Sequence, residues 1–298
     1  MLQALIIFNP AAGRRRRSRR SEVEALSRGL RGRGWHVEIA ETTISDGGAR
    51  IAAEGMAAGF EALVACGGDG TVHEIVNAVA AAGAEAAPVL AIAPPWGTAN
   101  ILALALGVPN AADAAAAWLA RARPQRFPLG VVETAAETRR FAAVASAGYD
   151  AAVVHALSAQ EKRRWGKAAF AWKAATIWRR YFPAPLEFEA DGVRGSADGI
   201  IWGLTQYYGG RLRLGAANPG RGIALALRGM PSTLPWQGMA LLTRGLEHAR
   251  GVERLKASVI AITTPGIPLE LDGEASGATP ARLRCEPGAI RILSAGVS

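Results

Sequence analysis

The chain has 298 residues, which is long enough for two domains of ordinary size or for one large one. Half of its residues are hydrophobic and a fifth are charged, as in soluble globular proteins, and no apolar run is long enough to predict a membrane-spanning helix. The net charge of +9 favours anionic partners, namely nucleotide, nucleic acid or acidic lipid headgroups, and does not distinguish among them.

Residues 2–122 alternate short apolar runs with helical patterns. The first apolar run, at 2–8, has no basic residues ahead of it and no small-residue cleavage site, so it predicts a strand and not a signal peptide. The further predicted strands are at 35–40, 62–66 and 89–93, and the predicted helices are at 21–31, 48–59, 72–82, 99–106 and 111–122. This alternation predicts an α/β domain with a mostly parallel sheet and helices on both faces.

The pattern changes after Arg123-Pro124, where we place the boundary between a domain at 1–124 and a second at 125–298. Helical stretches are predicted at 151–181 and 238–247. Strand-like segments bounded by Gly or Pro are predicted at 141–147, 186–190, 199–205, 222–227, 257–263 and 289–293. Such spacing predicts a mainly antiparallel β-sandwich or barrel. Two isolated cysteines, Cys66 and Cys285, form neither a disulfide framework nor a metal cluster, so we expect the chain in the cytosol by default.

A glycine-rich loop follows the third predicted strand and precedes a helix: Gly67-Gly68-Asp69-Gly70-Thr71. Glycines let the backbone turn sharply and approach a ligand closely, and the N-terminus of the following helix favours an anion. The loop is therefore a predicted phosphate site at the carboxyl edge of the sheet. An acid inside such a site suggests Mg²⁺-nucleotide chemistry for Asp69. The alternative is a tight turn in which Asp69 caps a helix.

Two more loops end neighbouring strands at the same predicted edge. One is Asn9-Pro10-Ala11-Ala12-Gly13, and the other is Pro94-Pro95-Trp96-Gly97-Thr98-Ala99-Asn100. Each alone is ordinary turn chemistry. Their joint position predicts that three loops converge and supply neutral hydrogen-bonding groups from Asn9, Thr71, Thr98 and Asn100.

Together with Leu271-Asp272-Gly273-Glu274, these motifs resemble the diacylglycerol kinase family over nearly the whole chain. More narrowly, the chain is similar to the bacterial soluble lipid kinases that are grouped with sphingosine kinases. The resemblance implies the NAD kinase/diacylglycerol kinase-like fold, ATP as phosphate donor and Mg²⁺ as cofactor. Thr43, or its neighbour Thr42, best matches a further nucleotide contact of relatives. The nucleotide-binding positions implied by the resemblance are Asn9, Thr43, Gly67, Gly68, Gly70, Thr71, Glu74, Gly97, Thr98 and Asn100.

The same resemblance implies that Asp272 is the general base and that Glu274 lies near Mg²⁺ together with Asp69. Phosphoryl transfer requires positioning, neutralisation of phosphate charge and an acceptor for the hydroxyl proton, which these roles supply. Because Asp69 and Asp272 belong to different predicted domains, we expect the site in a cleft between them. The alternative for Asp272-Gly273 is a β-hairpin turn, for which Asp-Gly is a leading signal.

The chain departs from the family at three acidic positions. Relatives carry acids where this chain has Ile101 and Pro128, and an Asp-Asp-Gly where it has Asn218-Pro219-Gly220. In relatives these acids support an accessory Mg²⁺ site, which their absence predicts to be missing here. A relative that binds ligand without catalysis is therefore one alternative.

Two basic segments suggest contact with anions. The run 14–17 with Arg19 and Arg20 is either a solvated helix start or an attraction for ATP or an anionic membrane. The stretch 162–182 is basic and Trp-rich, with Trp165, Ala169 and Trp172 at helical spacing. It predicts either an interfacial helix at the inner face of the membrane or packing between the domains. No nucleic-acid recognition motif accompanies the charge, so we expect no nucleic-acid partner.

The leading hypothesis is an ATP-dependent kinase that phosphorylates a hydroxyl of a diacylglycerol-like lipid. A sphingoid base or phosphatidylglycerol is an alternative acceptor, because the second domain has few motifs. An NAD kinase shares the Gly-Gly-Asp-Gly loop, although the other three motifs fit lipid kinases better. A non-catalytic nucleotide- or lipid-binding protein is the third alternative, and a homodimer is left open.

Overall fold

The computed structural model describes residues 1–12, 19–43, 47–94, 96–97, 99–178, 185–218 and 220–295. The chain divides into two compact units, one formed by residues 1–128 with 287–298 and the other by 129–286. In the part of the chain that is described, no helix combines the length and the hydropathy needed to cross a bilayer.

The first unit is an α/β domain, as predicted. Its strands run parallel in the order β2-β1-β3-β4, and each is followed by a helix that crosses back over the sheet. Every residue of β3 and β4 is buried, as expected for strands covered on both faces. The elements are β1 (Gln3–Phe8), α1 (Arg19–Arg31), β2 (His36–Glu41), α2 (Gly48–Ala57), β3 (Ala62–Cys66), α3 (Asp69–Ala82), β4 (Val89–Ile92), α4 (Ile101–Ala105) and α5 (Ala112–Arg121).

The second unit is built mainly from antiparallel strands, again as predicted. One sheet has the order β14-β13-β10-β7-β16-β17, and β8 pairs with β9 and β15 in another. The elements are β5 (Arg123–Thr134), β6 (Thr138–Phe141), β7 (Val144–Gly148), α6 (Tyr149–His155), α7 (Ala159–Trp165), α8 (Lys167–Trp178), β8 (Leu186–Ala190), β9 (Val193–Ala197), β10 (Gly199–Gly203), β11 (Tyr207–Tyr208), β12 (Leu212–Arg213), β13 (Ile223–Leu227), α9 (Leu234–Leu242), β14 (Val252–Leu255), β15 (Val259–Ile262), β16 (Pro268–Leu271), β17 (Glu274–Ala278) and β18 (Ala281–Ser294).

The C-terminal strand differs most from its predicted length. The sequence predicts a short strand at 289–293, whereas β18 spans fourteen residues and also pairs with β15. Its last part lies beside β4, with Ile292 opposite Leu90 in parallel register. This pairing is why residues 287–298 belong to the first unit and not to the second.

The predicted continuous helix at 151–181 is wrong, because three shorter helices occupy its described part. Ser158 starts α7 with a capping box: Ser158 Oγ accepts the N–H of Glu161, and Glu161 accepts the N–H of Ser158 at 2.8 Å. Gly166, at a φ of 55°, separates α7 from α8. The predicted stripe of Trp165, Ala169 and Trp172 is therefore broken: Ala169 is buried, while Trp165 and Trp172 are exposed.

Candidate functional site

The loop between β3 and α3 leaves little space for a side chain at Gly67 or Gly68. A Cβ added to Gly67 would lie 2.5 Å from Cβ of Thr71, and one added to Gly68 would lie 3.1 Å from Cα of Gly97. The first helical bond of α3 runs from the N–H of Val72 to the carbonyl of Gly68. The N–H groups of the preceding turn have no acceptor within the helix and lie at its positive end. This end of α3 has the chemistry that binds an anion.

Asp69 fixes the start of another helix. Its carboxylate accepts the backbone N–H of Asn100 at 2.8 Å and that of Ile101 at 2.9 Å, which begins α4. Asp69 therefore caps the N-terminus of α4, and not that of α3, of which it is the first residue. Ile101 is buried and contributes its N–H to this contact. The carboxylate joins the β3–α3 loop to the loop after β4.

Asn100 closes the loop after β4. It adopts a left-handed backbone with a φ of 51°, accepts the N–H of Gly97 at 2.7 Å and donates to the Gly97 carbonyl at 2.8 Å. Gly97 in turn lies against Gly68, since a Cβ built on Gly97 would be 2.5 Å from Cα of Gly68. The two loops are therefore in backbone contact, which only glycine at both positions permits. Thr98, the predicted nucleotide contact of this loop, lies outside the described residues.

Asn9 brings in the loop after β1. Its side-chain amide donates to the hydroxyl of Thr71 at 3.2 Å and accepts the N–H of Ala11 at 2.8 Å. Its backbone N–H donates to the carbonyl of Cys66 at the end of β3. The three loops that the sequence predicts to converge do meet at this sheet edge. Their binding role stays a prediction, and Gly13 lies outside the described residues.

Arg19 and Glu74 support the loops from the side. Arg19 is buried, lies over the ring of Trp96 at 4.8 Å and hydrogen-bonds the carbonyl of Ala12. It therefore packs within the fold, whereas residues 14–17 lie outside the described part. Glu74, in α3, accepts the N–H of Gly48 at 2.6 Å and so anchors the start of α2. Thr43 is exposed at the end of the described segment after β2.

The acids at these loops do not form a complete metal cage. Among the described residues, no group of three or more His, Cys, Asp or Glu side chains is arranged to hold a metal ion. Mg²⁺ commonly takes only one or two protein carboxylates and completes its shell with phosphate oxygens and water. Asp69 supplies a carboxylate at these loops, and because both of its oxygens already accept backbone N–H groups, a Mg²⁺ here would depend mainly on phosphate oxygens and water.

Asp272 and Gly273 form a hairpin turn in the second unit, between β16 and β17. Both have positive φ, 51° and 87°, as a two-residue turn of type I′ requires. The Asp272 carboxylate is buried and accepts three backbone N–H groups, from Ala142 at 2.8 Å, Ala143 at 2.8 Å and Val144 at 3.0 Å. The backbone of Asp272-Gly273 is therefore the hairpin turn that the sequence offers as the alternative, and the Asp272 carboxylate holds the segment that enters β7. The role of Asp272 as a base stays a prediction. A metal role for Glu274, which is exposed in β17, stays a prediction as well.

A cluster of two acids and a tyrosine lies beside this hairpin and was not predicted from the sequence. Glu270 is 3% exposed and accepts the hydroxyl of Ser146 at 3.0 Å and the N–H of Gly273. Asp150, in the first turn of α6, accepts the hydroxyl of Tyr208. Burial and then the charge of Asp150 raise the pKa of Glu270 well above its usual range, and burial raises the pKa of Asp150. Carboxyls shifted in this way occur at acid–base sites and in structural networks.

One signal could have revealed the cluster. Glu270 is an acid within the apolar segment Pro268–Leu271, two residues before the Asp272 of the turn. An acid inside a buried apolar strand is rarely accommodated without partners. Asp150 and Tyr208 are distant in sequence and became visible only through their contact.

The family model for the diacylglycerol kinase catalytic domain matches residues 3–132. A relative from Pseudomonas aeruginosa (strain UCBPP-PA14), named "Probable lipid kinase YegS-like", is 33% identical over 286 residues, which cover 92% of this chain and 90% of the relative. A protein of the same name from Pseudomonas putida (strain KT2440) is 28% identical over 281 residues, covering 92% of this chain and 91% of that protein.

Solved structures share the fold. A diacylglycerol kinase from Bacillus anthracis str. Sterne superposes with a TM-score of 0.68 at 18% identity, covering 98% of this chain and 96% of that one. Another structure from the same strain superposes with a TM-score of 0.76 at 21% identity, covering 98% of this chain and 95% of that one. At these identities the likeness concerns the architecture of the two units.

Proposed function

This chain belongs to the diacylglycerol kinase family of lipid kinases, and we propose that it transfers the γ-phosphate of ATP to a hydroxyl of a diacylglycerol-like lipid. Membership of a kinase family makes it a phosphotransferase. The donor, the acceptor and the residues that serve them are the proposal.

The observation that carries the proposal is the backbone contact between Gly68 and Gly97 at the N-terminus of α3. It holds the loop after β4 against the N-terminus of α3, where the helix dipole and the N–H groups of the first turn favour the negative charge of a triphosphate. Asn9 and Thr71, which hydrogen-bond each other, add neutral polar groups at the same edge.

In the proposed reaction, the N–H groups at the start of α3 bind the phosphates, and Asp69 holds the loop after β4 in place through Asn100 and Ile101. Thr43 and Thr98 are proposed as further nucleotide contacts. When bound, Mg²⁺ would neutralise phosphate charge, with Asp69 and, by resemblance, Glu274 as its carboxylates. Such fixed positioning supplies most of the catalysis in phosphoryl transfer.

Asp272 is proposed as the acceptor of the hydroxyl proton, and its contacts add a positioning role. Because its carboxylate accepts three backbone N–H groups, its orientation is set by the segment that enters β7. Glu270, in the neighbouring strand β16, is buried and its pKa is raised, so it holds its own proton more firmly than an ordinary Glu and is not the proposed acceptor. Comparison of variants at the two acids tests this assignment.

The test is incubation of the chain with ATP labelled at the γ-phosphate, a mixed lipid extract and NAD. Label moving into a lipid supports the proposal, and mass analysis of the product identifies the acceptor as diacylglycerol, sphingoid base or phosphatidylglycerol. Label moving into NAD indicates an NAD kinase. No transfer, with ATP still bound, indicates a non-catalytic relative.

The matched variants are Asp69→Asn, at the loop, and Asp113→Asn, at an exposed position in the first turn of α5. We expect Asp69→Asn to lower the transfer rate by about 100-fold, because the charge that orders the loops is lost. Asp113→Asn should leave the rate unchanged. Equal rates for all three proteins would contradict the role of Asp69.

A further inference from the structure

Helix α9 (Leu234–Leu242) places its apolar and polar residues the opposite way from a typical surface helix. It buries Gln237, which is 3% exposed and donates to the hydroxyl of Thr233 at 3.0 Å. Its outer side carries Trp236, Met239 and Leu242, which are 61%, 59% and 70% exposed. Three large apolar side chains on nine residues form an apolar face that the described chain leaves open to solvent.

A pocket of about 430 Å³ opens beside Trp236. Its lining includes Arg228, Arg250, Ser232 and Thr233, two cationic and two hydroxyl-bearing residues. Arg228 is paired with Glu253 at 2.7 Å, while Arg250 is exposed. The sequence from 228 to 246 contains two arginines and no acid, although Glu253 contacts Arg228 and Asp198 accepts the N–H of Met230.

We propose that the α9 surface, meaning Trp236, Met239 and Leu242 together with the Arg228–Arg250 pocket, docks on an anionic phospholipid bilayer. The apolar side chains enter the boundary between headgroups and acyl chains, and the pocket takes the phosphate of one lipid. Guanidinium groups suit phosphate, and a Trp beside them suits the interface, where one end of the ring is apolar and the other is wet.

The charge beside the apolar face favours a bilayer over a protein partner. The buried centres of protein interfaces are depleted in charged residues, whereas interfacial helices pair apolar side chains with Arg and Lys that meet anionic headgroups. The net charge of +9 has the sign needed to bring such a surface to an anionic membrane.

The neighbouring helix extends the surface. Trp178 at the end of α8 donates its indole N–H to the carbonyl of Pro231, just before α9, at 3.0 Å. Met230 and Leu234 pack on the same apolar cluster as Phe170 and Ile177 of α8. Trp172 of α8 is 70% exposed, so two adjacent helices of this unit present tryptophan to the solvent.

The experiment is co-sedimentation of the full chain, without ATP, with vesicles of phosphatidylcholine alone or mixed with phosphatidylglycerol. We expect binding to the mixed vesicles only, weakened by salt. The triple variant Trp236→Ala, Met239→Ala, Leu242→Ala should bind at least about tenfold more weakly. The control is Ile39→Ala with Val193→Ala, at apolar residues that are 39% and 71% exposed elsewhere, and it should bind like the original chain.

A second pair of variants isolates the pocket and guards against loss of folding. Arg250→Gln should weaken binding about fivefold, as expected for roughly 1 kcal/mol per basic residue near an acidic surface. Arg194→Gln, at an exposed residue of β9, should have no effect. Absence of binding to mixed vesicles, or equal binding of the triple variant and its control, would overturn the proposal. Neither outcome depends on phosphoryl transfer.

Discussion

Asp272 and Asp191 occupy equivalent turns in different surroundings. Each precedes a glycine in a two-residue hairpin, with φ values of 51° and 46°, and each has a backbone N–H that donates to the neighbouring strand. Asp191 is exposed and accepts the N–H groups of Ser258 and Val259. Asp272 is buried and accepts three backbone N–H groups. Burial is the main difference between these two turns.

We therefore predict that Asp272→Asn destabilises the protein by about 2–3 kcal/mol, because a buried N–H loses its charged acceptor. Asp191→Asn should change the free energy of unfolding by less than about 1 kcal/mol, since water can replace the lost contact. Urea unfolding of both variants measures this. Equal losses would contradict a buried positioning role, whereas a stable Asp272→Asn protein without transfer would favour a role in proton transfer alone.

Glu270 predicts a dependence of stability on pH. Its pKa is raised in the fold by burial and by the charges of Asp150 and Asp272. Above its ordinary value of 4.5 the unfolded chain has released a proton that the folded chain still holds, so the free energy of unfolding falls as pH rises. Asp150, whose pKa is also raised, acts with the same sign.

Glu270→Gln removes this titration and should flatten the fall in stability as pH rises above the ordinary Glu pKa of 4.5. The control is Glu189→Gln, at a half-exposed residue paired with Arg194. Chemical unfolding at a series of pH values gives the slope of the free energy of unfolding against pH for each protein. A slope for Glu270→Gln equal to that of the unchanged chain would show that Glu270 does not retain its proton in the fold.

At the scale of the elements, the first unit could be predicted well because each of its signals is local. Ala62–Cys66 and Val89–Ile92 are continuous apolar runs, and a glycine follows the first directly while a proline follows the second after one residue. The convergence of the three loops followed from parallel topology alone. The bond from Asp69 to the start of α4 could not be predicted, because it joins residues 31 and 32 positions apart.

The second unit was harder because its strands pair across long separations and its helices are short. The capping box at Ser158 and Glu161 was visible in the sequence, and applying it would have divided the predicted helix at 151–181. The partners of β16 were not visible, since Ser146 and Glu270 are 124 positions apart.

The backbone contact between Gly68 and Gly97 predicts the effect of adding one methyl group at Gly97. Gly97→Ala would place Cβ 2.5 Å from Cα of Gly68, so the loops must separate. We expect the dissociation constant for ATP to rise at least about tenfold and stability to fall by about 1–3 kcal/mol. Gly238→Ala is the matched control, because a Cβ there meets nothing within 4 Å. Titration calorimetry with ATP measures the change, and equal affinities would contradict the assigned geometry.

At the scale of the molecule, the covalent chain crosses twice between its two units. β5 leads out of the first unit, and β18 returns to it beside β4. The first crossing lies between Pro128 and Leu129, close to the composition change after Arg123-Pro124, whereas the return has no such change in the sequence. The pairing of β18 with β4 makes the C-terminal residues part of the first unit. Strand pairing across about two hundred residues leaves no local signal in the sequence.

The proposal that ATP phosphates bind at the start of α3 can be tested by nuclear magnetic resonance on protein labelled with ¹⁵N at its 35 glycines. We predict that ATP with Mg²⁺ shifts the amide signals of Gly67, Gly68, Gly70 and Gly97, and that adenosine, which lacks phosphates, leaves them in place. Shifts of equal size with adenosine, or ATP-dependent shifts confined to other glycines, would show that the phosphates bind elsewhere.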